Sequence, residues 1–168
     1  MKISNFALVS LLLCAKCATA ADSGFGNVNI HGVVIDAPCS ISPGKDNLQL
    51  DFGQLSAAAL QNGHESEPVD LDIELARCSA DIQNKVRVTF KGTAFSDGLF
   101  SVAENNSSLG IAIRDHFGQQ VINGQPVAWQ RINDGDNVLH FTSVLKGRAS
   151  PVITGPFQAQ VLFYIEYN

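Results

Sequence analysis

Apolar and polar residues alternate position by position along several stretches of this chain. The longest unbroken alternation is Phe157, Ala159, Val161, Phe163, Ile165 and Tyr167, interleaved with Gln158, Gln160, Leu162, Tyr164 and Glu166. A period of two places the first set on one face of a strand. The pattern predicts a strand over 157–167 with that face buried. The strand is the last element of the chain. A hydrophobic strand in that position leaves a sticky open edge unless it has a neighbour on each side. What covers that edge becomes the functional question.

A second alternation lies near the other end. Gly26, Val28, Ile30, Gly32 and Val34 alternate with Phe25, Asn27, Asn29, His31 and Val33. Two glycines inside a strand weaken it and mark close backbone approach. The pattern fits an ordinary first strand, and it fits equally an extension that docks elsewhere.

The middle of the chain reads as short strands separated by turns. Leu48–Phe52, Val69–Leu75 running into Cys78, Val86–Phe90, Leu109–Ile113 and Val138–Thr142 all carry strand patterns. His116-Phe117-Gly118, Asn123-Gly124 and the run Asn133–Asn137 carry turn signals. Residues 54–67 are less regular, with a helical turn through Ala57, Ala58 and Ala59. Short strands at this spacing, with no competing amphipathic helix, predict an all-β sandwich forming one domain.

Composition narrows the function classes. The chain has 168 residues, with 16 acidic against 11 basic ones. That balance argues against nucleic acid, whose partners carry a basic patch. Met1–Ala20 reads as a secretory signal peptide: Lys2, an apolar run from Phe6 to Cys14, then Ala18-Thr19-Ala20 as a small-residue cleavage site. The run is too short to span a bilayer. Lipidation at Cys14 or Cys17 is disfavoured, because a leucine and a lysine precede them. A mature chain beginning at Ala21 lacks Lys2 and Lys16, so it carries 9 basic and 16 acidic residues, a net charge of −7.

Cys39 and Cys78 remain, and two cysteines in an exported domain are expected to pair. With no histidine nearby they make a poor zinc site. No nucleophile elbow, P-loop or paired-histidine motif is present. The four histidines, at 31, 64, 116 and 140, lie in separate segments, and His31 and His140 sit on polar strand positions. Asp134 and Asp136 lack the spacing of a calcium loop. No catalytic residue, metal or cofactor is expected.

Taken together, these segments resemble the pilins of the chaperone–usher class, such as subunits of type 1 and P pili. Ala21-Asp22-Ser23, the alternating stretch, Gly32 and Cys39 follow one another as in the N-terminal extension of such subunits. Cys39 and Cys78 match the family's disulfide spacing. Leu71–Leu75, Val88–Thr93 and Leu109–Ile113 resemble its core segments, and Gly155 with penultimate Tyr167 resembles its C-terminal signature.

The resemblance implies an incomplete immunoglobulin-like β-sandwich lacking its final strand, with a groove beside the C-terminal strand. It implies a signal peptide over 1–20, a donor-strand extension over 21–35 and a pilin domain over 36–168. A periplasmic pilus chaperone would lend the missing strand. The extension of a neighbouring pilin subunit would then replace it at an outer-membrane usher, giving a cell-surface fimbrium with an associated adhesin. Gly26, Val28, Ile30, Gly32 and Val34 would face the neighbour's pockets. Gly155, Phe157, Ala159, Val161, Phe163, Ile165 and Tyr167 would form the strand read by the chaperone.

The length and the donor segment argue against a tip adhesin. The opening Ala21-Asp22-Ser23 resembles minor subunits more than rod subunits. The competing expectation is a secreted carbohydrate- or ligand-binding β-sandwich that folds alone; an exported hydrolase has no residues to support it.

Overall fold

The computed structural model describes Val28, Asn29, Gly32, Val34 and residues 37–81, 83–102 and 106–168. The chain divides into two units, Met1–Val34 and Ile35–Asn168. Of the described residues in the first, Val28 and Val34 are exposed and Gly32 has open space around its Cα.

Among the described residues, the second unit holds eight strands: β1 Ser40–Ile41, β2 Val69–Cys78, β3 Lys85–Gly92, β4 Phe100–Ser101, β5 Leu109–Asp115, β6 Gln130–Arg131, β7 Gly135–Gly147 and β8 Val161–Tyr167. They form two antiparallel sheets, ordered β1-β2-β7-β5-β4 and β6-β3-β8. Alternation decides which side chains enter the sandwich. Ile73 and Leu75 of β2 and Leu139, Phe141 and Leu145 of β7 meet Val86, Val88 and Phe90 of β3. Phe90 and Phe141 make an edge-to-face contact across the sheets at 5.0 Å, a geometry that favours the ring quadrupoles.

Cys39 and Cys78 are disulfide-bonded, tying the start of β1 to the end of β2. β2 bulges between Leu75 and Cys78, where Arg77 takes a positive φ of 55°. Asp136 and Asp134 hold that bulge. Their carboxylates accept hydrogen bonds from the Arg77 N–H (3.2 Å) and the Ala80 N–H (2.7 Å). These acids therefore brace backbone at the end of the sandwich.

A 3-10 segment, Ala57–Gly63, crosses the end of β7 at close range. The Gly147 N–H donates to the His64 carbonyl at 3.1 Å. A Cβ at position 147 would lie 1.8 Å from the Leu60 carbonyl oxygen, so only glycine fits.

Three sequence expectations shift. Leu48–Phe52 forms no ladder, although Leu48, Leu50 and Phe52 turn inward while Gln49 and Asp51 turn out. The turn before β7 is shorter than 133–137, because the strand begins at Gly135. The last strand starts at Val161 and not at Phe157. Its partner β3 ends at Gly92, opposite Val161, so residues 157–160 have nothing to pair with on that side.

Candidate functional site: an open groove beside the last strand

β8 pairs with β3 through seven positions, from Val86 opposite Tyr167 to Gly92 opposite Val161. Among the described residues, nothing pairs with its other edge. Its inward residues Val161, Phe163, Ile165 and Tyr167 are only half-buried, where Phe90, Val88 and Val86, opposite the last three, are fully buried. A strand flanked by one neighbour covers half of its inner face, and the rest stays open. Tyr167 still lies deep enough that burial pushes its phenol above the ordinary value.

Beside this edge runs a groove of about 580 Å³. One wall is Asp46–Phe52, the extended segment that lacks a ladder. The other wall is Phe157–Phe163. The floor comprises Leu71, Phe90, Ile111, Ile113 and Ser143, residues of both sheets. A second compartment of about 530 Å³ continues past Phe52 and Phe157, with Leu60, Leu109, Leu145 and Val152 beneath. The two share Leu50, Phe52 and Phe157, and the rings of Phe52 and Phe157 stand 6.0 Å apart at their junction.

The cleft is lined mainly by apolar side chains along its floor and by polar ones at its rim. Past the bend at Asp46 and Asn47, one wall runs through Leu48–Phe52 without regular structure, and the other passes from 157–160 into β8. The floor is apolar, and the rim carries Asn47, Gln49, Gln158 and Gln160 with Asp46 and Asp51. An inserted strand would find backbone hydrogen-bonding groups along its sides and apolar recesses for alternate side chains. Among the described residues, no group of three or more His, Cys, Asp or Glu could hold a metal ion. His140 is exposed on β7 and hydrogen-bonds to Asp72 at 2.9 Å.

The residues expected on the C-terminal strand divide accordingly. Phe157, Val161 and Phe163 line the groove, Ile165 and Tyr167 continue the same face, and Gly155 lies in the second compartment with a φ of 145°. Ala159 lines the groove but is exposed rather than buried, because among the described residues no strand lies against it. Of the expected donor residues, Val28, Gly32 and Val34 are described; Gly26 and Ile30 lie outside the described residues. So do His31 and Ala21-Asp22-Ser23, the basis of the minor-subunit expectation. The opposite wall escaped sequence reasoning. Its signal was the alternation of Leu48, Leu50 and Phe52, which looked like any other strand.

Comparison with known proteins agrees with this geometry. A family model described as "Fimbrial protein" matches residues 28–168. The chain is 37% identical to the Major MR/P fimbria protein of Proteus mirabilis (strain HI4320), with 100% of each chain covered. It is similar to the crystal structure of the P pilus rod subunit PapA, with a TM-score of 0.72 and 32% identity over 79% of this chain and 100% of that one. It also resembles the subunit in a solved chaperone–usher pilus, with a TM-score of 0.79 and 32% identity over 90% of this chain and 100% of that one.

Proposed function

The chain belongs to the fimbrial protein family, and on that premise we propose that it is an internal subunit that both accepts and donates a strand. Its role is structural: it is a pilus subunit and not an enzyme. Its relatives form surface fimbriae.

In this reading residues 1–20 direct export, 21–35 are the donor segment and 36–168 form the accepting domain. A periplasmic chaperone first lays a strand along β8. At an outer-membrane usher, the donor segment of a neighbouring subunit replaces that strand. Chaperone–pilin strand addition is a known mode of recognition, and this sequence suits it physically. The donor stretch Gly26–Val34 and the groove wall Gly155–Phe163 are each nine residues long. At about 3.3 Å per residue, either extends over roughly 30 Å. Val28, Ile30 and Val34 would fill apolar recesses, and Gly32 would lie where the groove is shallow.

The observation that carries the reading is the edge of β8 that, among the described residues, has no partner, beside an apolar groove that opens onto the core. A sandwich that folded alone would cover Phe163 and Ile165 with its own chain. The test is binding of a peptide of residues 21–35 to the preceding subunit held by its chaperone. The peptide should displace the chaperone, and an Ile30→Asp peptide should not, because a buried unpaired carboxylate is strongly unfavourable. Equal displacement by both peptides would remove the donor role. Loss of folding of full-length Ile30→Asp subunit with chaperone present would make this segment an ordinary core strand.

A further inference from the structure

Strand exchange uses the inner side of β8 and leaves the outer side of the β6-β3-β8 sheet unexplained. Register sets what that side carries. Lys85, Arg87 and Lys91 alternate with the buried Val86, Val88 and Phe90, so they point outward from β3. Arg131 lies opposite Lys85, and Glu166, Tyr164 and Leu162 lie opposite Arg87, Thr89 and Lys91. The three strands thus present outward four cationic side chains and one carboxylate side chain, on a chain whose net charge beyond Ala20 is −7.

Pairing sets these cations apart from the others. Among the described residues, Lys45, Arg87, Arg114, Lys146 and Arg148 each contact a carboxylate, at 2.9, 2.5, 2.8, 3.1 and 2.7 Å. Arg77, Lys85, Lys91 and Arg131 make no such contact among them, and the last three all lie on the outward side of β3 and β6. Aromatic rings hold two cations against the sheet. Lys91 sits over the Tyr164 ring at 4.9 Å, and Arg87, which also bonds Glu166, sits over the Trp129 ring at 4.5 Å. A cation held this way loses less rotational freedom when it meets an anion.

We propose that this side of the sheet binds an acidic polysaccharide, one that carries sulfate or uronate groups. Charge complementarity selects a polyanion, because Lys85, Lys91 and Arg131 can donate to sulfate or carboxylate oxygens without breaking an internal ion pair. Spacing selects a chain over a small anion. At about 3.4 Å per residue, Lys85 and Lys91 stand roughly 20 Å apart along β3, with Arg131 beside the first. One small anion cannot reach both ends of that row. Net charge disfavours an anionic membrane, which is a plane facing the whole acidic surface. A thin polymer along the strands meets the local cations, while physiological salt screens the remainder beyond about 8 Å. Ring geometry disfavours single-stranded nucleic acid, which stacks its bases on open aromatic faces. Here Arg87 and Lys91 lie over the rings of Trp129 and Tyr164. Sulfate and uronate groups use the cations themselves. Each exposed contact is weak, and repetition along one polysaccharide adds them together.

The test is binding of assembled fimbriae to immobilised heparin, a sulfated polysaccharide, with neutral dextran as the blank. Fimbriae should bind heparin and not dextran, and raising salt from about 0.05 to about 0.2 M should weaken binding at least about tenfold through lost counterion release. Lys91→Glu together with Arg131→Glu in this subunit should lower heparin affinity at least about tenfold while filaments still form in electron micrographs. Lys45→Glu with Arg77→Glu makes the same change in net charge elsewhere and should alter binding less than about threefold, because screening confines the effect. Lys91→Arg with Arg131→Lys should retain binding. If the reversed pair assembles no filaments, Lys91→Gln with Arg131→Gln makes the same comparison. Absence of heparin binding, or equal binding by the two charge-reversed pairs, would overturn the proposal. So would tighter binding of the same fimbriae to single-stranded DNA or to vesicles rich in anionic lipid. Strand exchange uses the inner side of β8 and stands or falls separately, on uptake of the 21–35 peptide.

Discussion

Val161 and Leu162 are neighbours on β8 that face opposite ways, and they give a sharp internal comparison. Both border the groove, but Val161 is on the inward, half-buried side of β8 and Leu162 is on its outward side, 53% exposed. In the open subunit a carboxylate at 161 keeps contact with water through the groove. Once a strand fills the groove, it becomes buried without a partner. Such a group costs about 1–3 kcal/mol, and more when it is charged. Val161→Asp should therefore weaken strand uptake by at least about 2–3 kcal/mol, which is roughly 30- to 150-fold. Leu162→Asp stays in water in both states and should change uptake less than about threefold. The assay mixes labelled 21–35 peptide of the neighbouring subunit with chaperone-bound subunit and follows incorporation by fluorescence anisotropy. Chaperone capture should fall in the same order, because in the proposed reading the chaperone's strand and the neighbour's would both lie against Val161. Equal effects of the two substitutions would refute the assignment of inner and outer faces and, with it, the groove as the site of strand addition.

Cys39→Ser should lower thermal stability sharply and reduce the yield of subunit, because opening a loop of 39 residues' separation removes about 4 kcal/mol in the chain-entropy model; an unchanged melting temperature in calorimetry would contradict this. Gly147→Ala should destabilise by about 1–3 kcal/mol or prevent folding, since its Cβ would meet the Leu60 carbonyl; denaturant titration of the chaperone-free polymer-embedded subunit gives the comparison. Glu65 accepts hydrogen bonds from Arg114 (2.8 Å) and Lys146 (3.1 Å). The Arg114 hydrogen bond is the main cause holding its carboxyl below the ordinary 4.5, with partial burial opposing. Its contribution to stability is thus present above pH 4.5 and fades as pH falls through the lower folded-state value. Glu65→Gln should flatten that part of the acid-unfolding profile, and an unaltered profile would remove Glu65 from it.

Alternation by itself determined that this chain is an all-β sandwich, because a period of two leaves no other way to bury Ile73, Leu75, Val86, Val88, Phe90, Leu139 and Phe141. It also marked the inward set of the last strand, while the count of two cysteines beyond Ala20 marked the pair that closes the end of β2. Tertiary structure decided which alternating stretches obtain partners. Leu48–Phe52 reads like Val86–Phe90 in the sequence, yet one is a groove wall without a ladder and the other a central strand. The same holds for residues 157–160, whose pattern continues that of β8 although β3 stops at Gly92. Pattern reports the face a side chain prefers, and that is a local property. Pairing depends on which backbone lies within hydrogen-bonding reach, and the order β6-β3-β8 leaves the far edge of β8 without a partner among the described residues. The grouping of charge on the outer face of β6-β3-β8 is likewise invisible along the chain, since Lys91, Arg131 and Glu166 come together only when three strands lie side by side.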